Sequence, residues 1–197
     1  MKLIFATNNQ HKIDELRPLV SDQFELITLK EAGILVDIPE PYDTLEENAS
    51  AKSRTIFETT GTNCFSEDTG LEVTSLNGEP GVKSARYAGD NRSFDANIDK
   101  LLINLAGNPD WAARFRTVIS LLIEGKETLF EGICDGRIIA ERRGDNGFGY
   151  DPVFIPAGSD KTFAEMSSNE KSMYSHRAKA TKKLVAFLNI LKINHSF

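Results

Sequence analysis

The spacing of apolar side chains along the chain predicts alternating strands and helices. "KLIFA" (2–6) is a continuous apolar run ending in the polar turn "TNNQ", after which Ile13, Leu16, Leu19 and Val20 recur at helical spacing. "FELITL" (24–29) is rich in strand formers, and the loop around Pro39 and Pro41 precedes a second helix. Thr44 with Glu47 three residues on forms a capping box and Gly61 supplies the stop, so that helix runs from about Leu45 to Thr60. In "CFSEDTGLEVTSL" (64–76) the apolar pair Cys64 and Phe65 gives way to Glu67 and Asp68, and a second strand-like run follows at Leu71, Val73 and Leu76. This pattern places the two carboxylates in a turn at the mouth of a sheet. "NG" at 77–78 and "EPG" at 79–81 punctuate a loop reaching Gly89, and a helix capped by Ser93 and ended by Gly107 carries Ile98, Leu101, Leu102 and Leu105. "ARFRTVISLLI" and "TLFEGIC", joined by "EGKE", read as a long hairpin. The Gly-rich loop "RRGDNGFGYDP" (142–152), a short strand "VFIP" and one final helix from about Ser168 to Lys192 complete the order, with Leu184, Phe187, Leu188 and Leu191 on the last helix's apolar face. The fold class is α/β, with helices packed on a mixed sheet.

At 197 residues, without repeats or linkers, the chain suits a single domain over 1–197. The net charge of −6, from 23 Lys plus Arg against 29 Asp plus Glu, argues against the broad basic surface that nucleic-acid binding needs, while leaving room for a local basic pocket. Cys64 and Cys134 form no CxxC or Cys/His pair, which points to reduced, buried thiols rather than a zinc site or disulfide framework. The N-terminal apolar run is too short for a signal-peptide core and no stretch approaches bilayer-spanning length, so the expectation is a cytoplasmic protein without membrane contact.

Four polar clusters fall in the connections, where α/β scaffolds carry chemistry. "TNNQHK" follows a strand and opens a helix, so backbone N–H groups and Lys12 can meet an anion; an Asn-capped helix with a solvated lysine accounts for it equally well. Glu40 with "TLEENASAKS" brings a carboxylate and the ammonium of Lys52 near one helix N-terminal half, although a capped helix requires nothing more. Glu67 beside Asp68 is either a solubilising turn or a pair whose repulsion a cation or proton relieves. In "GDNGFGYDP" the glycines flanking Phe148 leave its ring exposed as a stacking platform, Asp151 can accept from ring N–H groups, and Lys171, Ser175, His176 and Arg177 add donors. Acids for a divalent cation, lysines at a helix start and an aromatic with polar neighbours together describe a site for Mg²⁺ and a nucleoside polyphosphate, the cation lying between Glu67, Asp68 and Glu40.

These segments, with "GEPGVKSARYAG" and "EKSMYSHRAKA", resemble in order and spacing the motifs of the inosine triphosphate pyrophosphatase family over nearly the whole chain. The resemblance implies an elongated mixed α/β architecture with two lobes enclosing a central cleft, a homodimer, Mg²⁺ as cofactor, and cleavage of non-standard purine nucleoside triphosphates (ITP, dITP, XTP) to the monophosphate and pyrophosphate. It further implies Asp68 as general base and metal ligand, Glu40 and Glu67 as further acids of the metal site, and Thr7, Asn8, Asn9, Lys12 and Lys52 as triphosphate contacts. Thr69 matches a substrate-contacting position; Phe148, Gly149, Tyr150 and Asp151, then Lys171, Ser175, His176 and Arg177, match the base pocket. Gln10 stands where many members carry a second lysine. Two rivals are Maf-type pyrophosphatases acting on pyrimidine or modified triphosphates, against which "GFGYDP" and "SHR" argue, and a non-catalytic nucleotide sensor.

Overall fold

The computed structural model describes residues 2–20, 24–35 and 38–194. Strand β1 (Lys2–Phe5) is buried beyond its first residue and leads into helix α1 (Gln10–Leu16), capped by Asn9. Pro18, which has no N–H to donate, converts the next turn to 3₁₀ geometry over Arg17–Leu19, so Leu19 and Val20 lie outside the α-helix. β2 (Glu25–Thr28) follows, then α2 (Leu45–Thr60), whose Thr44 hydroxyl accepts from the Glu47 N–H and whose end is set by Gly61 at φ +62°. β3 (Cys64–Val73) is followed by the short β4 (Pro80–Gly81), and α3 (Phe94–Leu105) is capped by Ser93. β5 (Ala112–Ile123) and β6 (Lys126–Ile138) are neighbours in the sheet, and the two residues between them, Glu124 and Gly125, take φ of +51° and +79°, the type I′ signature. β7 (Phe154–Pro156), α4 (Ser168–Tyr174) and α5 (His176–Asn194) complete the chain.

The strands form one mixed sheet in the order β2-β1-β3-β5-β6-β7, with β4 on β3. β1 runs parallel to β2 and β3, with Phe5 opposite Phe65, while β4 and β7 pair antiparallel with β3 and β6. The α/β class is therefore correct. The expected turn at Glu67 and Asp68 is not: β3 is one continuous ten-residue strand passing straight through them. The final helix is two helices, because Ser175 leaves helical conformation at ψ 140°. The loop expected over 77–89 contains β4 and a 3₁₀ turn at Ser84–Arg86.

The chain resolves into two compact units. The first comprises Met1–Asp68, Thr117–Gly132 and Arg177–Phe197, the second Thr69–Arg116 and Ile133–His176. In the first, Leu3, Phe5, Phe65, Leu121, Leu184 and Leu188 form one cluster, Phe5 and Phe65 stacking at 4.5 Å, and Ile4, Leu29, Ile56 and Cys64 form another. In the second, Leu71, Val73, Ile98, Leu101, Phe115, Phe154 and Phe163 are buried together. Both cysteines are buried free thiols, and burial pushes Cys64 up to about 12. Among the described residues no helix is long and apolar enough to cross a membrane.

Candidate active site

In the first unit, α2 presents small residues to the sheet. The Ser53 and Ser120 hydroxyls lie 2.6 Å apart, and the Ser66 hydroxyl donates to the Ala49 carbonyl at 2.5 Å, so the helix sits close against β3 and β5. That seating aims Lys52 inward. Its ammonium lies 2.5 Å from Glu40 Oε1 and 3.0 Å from Asp68 Oδ1, with Lys52 and Asp68 both buried. Burial drives the lysine toward neutrality, but the charges of Asp68 and Glu40 outweigh it and Lys52 is held above its ordinary value. Asp68 is pushed up, chiefly by burial and also by the Glu40 charge, with Lys52 and Lys12 opposing. Two carboxylates sharing one ammonium leave a carboxylate more basic than a solvated aspartate.

Neighbouring residues of a strand point to opposite faces, and the partners of Glu67 and Asp68 differ accordingly. Both Glu67 oxygens lie 3.0 Å from Arg177 Nε, and Oε1 is 3.1 Å from Lys12 Nζ. Burial raises Glu67, but Arg177 and Lys12 more than offset it and hold the carboxyl below its usual range. Arg177 Nη1 also donates to Glu15, and these two carboxylates, against burial, keep the guanidinium more firmly charged than usual. Glu40, Asp68 and Glu67, expected to surround one cation, thus divide into an Asp68–Lys52–Glu40 triad and a Glu67–Arg177–Lys12 cluster. No group of three acidic, His or Cys side chains able to hold a metal occurs among the described residues. Glu40 and Asp68 nonetheless fit a hard cation, since both already direct an oxygen at one positive charge. Glu67 fits poorly, its two oxygens being committed to Arg177 and Lys12.

The "TNNQHK" segment is more self-contained than its sequence implies. Asn9 N–H donates to Thr7 Oγ1 at 3.1 Å and Lys12 N–H to Asn9 Oδ1 at 3.4 Å, so the Lys12 ammonium is the segment's principal positive group. Thr7 and Asn9 are half-buried and Asn8 is exposed.

The second unit holds Phe148, Tyr150 and the other residues expected at the base, Arg177 excepted. Thr69 is half-buried at its start, followed by Gly70, where an added Cβ would lie 2.6 Å from the Gly81 carbonyl oxygen; only a bare backbone lets β4 approach. Asp151 is buried, and its Oδ2 accepts from the Phe148 N–H at 2.9 Å and from Lys171 Nζ at 2.6 Å. Lys171 Nζ lies 5.3 Å from the ring centroids of both Phe148 and Phe163. Phe148 is half-buried rather than exposed, with Phe94 at 6.1 Å. Tyr150 is a core residue that donates its hydroxyl to the Ser84 carbonyl at 2.8 Å. His176 is buried and stacks on Phe115 at 4.6 Å, Ser175 is buried at the helix break, and Gly149 takes φ +64°. Arg177, expected with His176 at the base, pairs in this structure with Glu67 and Glu15 of the first unit.

Gly147 and Gly149 allow a test of this loop. A Cβ at Gly147 would lie 2.0 Å from Asp151 Oδ2, whereas one at Gly149 would have nothing within 4 Å. Gly149→Ala should cost only backbone strain of about 1–2 kcal/mol, and Gly147→Ala that strain plus displacement of a buried carboxylate, another 1–3 kcal/mol or so. Urea denaturation compares the two; equal losses would mean that Asp151 is not held by close approach to Gly147.

Glu15, Phe94, Phe115 and Phe163 were not singled out from the sequence. Glu15 stands one helical turn after Lys12, a readable spacing, but its partner Arg177 is 162 positions away. Among known proteins, the chain matches the model of the Ham1 family over residues 3–187. It is 49% identical over 189 residues to a dITP/XTP pyrophosphatase of Christiangramia forsetii, covering 96% of this chain and all of that one. The solved Staphylococcus aureus Ham1 protein superposes with a TM-score of 0.88 at 40% identity, over 96% of this chain and 98% of that one. A HAM1 protein from Coxiella burnetii gives 0.89 at 35% identity with the same coverage.

Proposed function

Because the chain belongs to the Ham1 family, we propose that it acts as its dITP/XTP pyrophosphatase relatives are named to act. It hydrolyses non-standard purine nucleoside triphosphates, dITP, XTP and ITP, to the nucleoside monophosphate and pyrophosphate. The observation that carries this reading is the Asp68–Lys52–Glu40 triad, its aspartate and lysine buried, which combines a carboxylate of raised basicity with a cation suited to phosphate.

In this reading Asp68 takes the proton from the attacking water. Lys52 and Lys12 stabilise the charge that builds on the leaving pyrophosphate, and Thr7, Asn8, Asn9 and Thr69 contact the substrate's polar groups. Mg²⁺, held by Glu40 and Asp68, supplies neutralisation of the triphosphate when bound. Phe148 stacks on the base, and Lys171 and His176 offer donors suited to a 6-oxo purine, while Gly149, Tyr150, Asp151 and Ser175 fix their positions. The 6-amino group of adenine presents a donor instead, and each buried donor left unpaired costs about 1–3 kcal/mol, so two reject ATP by a few orders of magnitude. The reading keeps the homodimer that the resemblance implies and the cytoplasmic location expected from the sequence, checked by sedimentation and by fractionation.

Pyrophosphate release from XTP, dITP, ITP, GTP, ATP and dTTP, with Mg²⁺ and with chelator, tests the proposal. Mg²⁺-dependent release from XTP and dITP at least about 100-fold faster than from ATP is the expected result. A preference for dTTP, or tight binding without turnover, would overturn it.

A further inference from the structure

Asn48 sits on α2 four positions before Lys52, so the two side chains lie one turn apart on the same face of the helix. Both are almost wholly buried, at 1% and 6% relative exposure. The proposed chemistry makes no use of the Asn48 amide, which is committed to the backbone of Tyr42. Its Oδ1 accepts from the Tyr42 N–H and its Nδ2 donates to the Tyr42 carbonyl, each at 3.0 Å. A side-chain amide presents a donor and an acceptor side by side, so it pairs with one residue's N–H and C=O much as a neighbouring strand does.

Tyr42 closes the segment Pro39-Glu40-Pro41, which carries one acid of the triad. Proline rings fix φ at Pro39 and Pro41, and Pro41 also restricts Glu40 to extended conformations. Few backbone torsions therefore remain free between Tyr42 and the Glu40 carboxylate. At the other end of the segment Ile38 packs against the cluster of Ile4, Leu29, Ile56 and Cys64. Holding Tyr42 thus holds Glu40, whose Oε1 meets the Lys52 ammonium at 2.5 Å, while Asp68 Oδ1 lies 3.0 Å from the same nitrogen. One helix face supplies both the peg for the loop and, a turn later, the charge that the loop's acid meets.

We infer that Asn48 is a positioning residue for the reaction: by pinning the Tyr42 backbone to α2 it fixes where the Glu40 carboxylate stands beside Asp68, and so the spacing of the two acids assigned to Mg²⁺. This role rests on the proposed assignment of the cation to Glu40 and Asp68. Asn48 itself carries no charge and acts through the main chain.

The test is a cycle of Asn48→Ala, Glu40→Gln and the double variant in the full-length protein, with thermal melting to follow folding. Two quantities are read: amide hydrogen exchange at Tyr42 in the metal-free protein, and the free Mg²⁺ concentration that gives half-maximal pyrophosphate release from XTP. Asn48→Ala should speed Tyr42 exchange and raise the Mg²⁺ requirement, each at least about 10-fold, the scale of one or two lost hydrogen bonds. In the Glu40→Gln background it should still speed exchange but change the Mg²⁺ requirement less than about twofold, because no carboxylate is left to place. Asn48→Asp, of the same shape, keeps the acceptor for the Tyr42 N–H and loses the donor to its carbonyl. It stands in, read by the same cycle, if the Ala variant does not fold. Unchanged exchange at Tyr42, an unchanged Mg²⁺ requirement, or an equal rise in both backgrounds would overturn the inference. If Glu40→Gln alone leaves the Mg²⁺ requirement unchanged, the metal role of Glu40 fails and the inference with it; that outcome is separate from a failure confined to Asn48.

Discussion

Asp68→Asn is expected to lower kcat for pyrophosphate release from XTP by about 10²–10⁴-fold, the range in which removal of a general base falls, while leaving the protein folded. The amide matches the carboxylate in shape and can still accept from Lys52 through its oxygen, and Lys52 keeps Glu40 at 2.5 Å. No buried cation is therefore stranded. What is lost is basicity, and Asp68 is the carboxyl of the site whose burial raises it above its ordinary value. Steady-state kinetics with a parallel melting curve decide the matter. A kcat within threefold of wild type would remove Asp68 from the chemistry, and a collapse in stability would show that it serves the fold instead.

One position earlier, the same exchange should have the opposite signature. Glu67→Gln removes the charge that Arg177 and Lys12 share, and both cations lose a charged partner, at 3.0 and 3.1 Å. Breaking a buried pair in this way costs about 3–5 kcal/mol, and the melting temperature should fall by roughly 10 °C for a chain of this size. The pH dependence is a second readout. The Glu67 carboxyl is held below its ordinary 4.5 in the folded protein, so its contribution is fully present above that value and fades as pH falls through the folded one. The stability difference between wild type and variant should accordingly narrow below about pH 4.5. A loss under 1 kcal/mol at neutral pH, or a gap that does not narrow in acid, would contradict a buried ionic anchor.

These contrasting roles also show how far the sequence could be read. Helix boundaries set by local chemistry were legible: Asn9, Thr44 and Ser93 accept from backbone N–H groups, and Gly61 stops its helix in left-handed geometry. Glu67 and Asp68 were assigned to a turn because adjacent acids rarely occupy a buried strand. The residue that makes Glu67 tolerable there, Arg177, lies 110 positions away, beyond any local pattern. The break at Ser175 had a signal, since serine favours helix starts, but the apolar periodicity downstream masked it. The motifs located the polar clusters, yet side-chain partners decided their composition. Arg177 and His176 are consecutive in sequence and belong to different compact units, and Tyr150 turned out to anchor the core through Ser84.

The unbroken passage of β3 through both carboxylates has a consequence for how this segment can change. Because side chains alternate along a strand, deleting one residue between Cys64 and Glu67 would bring Asp68 to the place that faces Arg177 and Thr69 to the place that faces Lys52. Both functions would be lost in a single step: Lys52 would lose its buried carboxylate, and Arg177 would face the shorter aspartate in place of Glu67. Drift in this stretch is therefore confined to replacement of side chains, while its length is locked by two unrelated requirements read from opposite faces of one backbone.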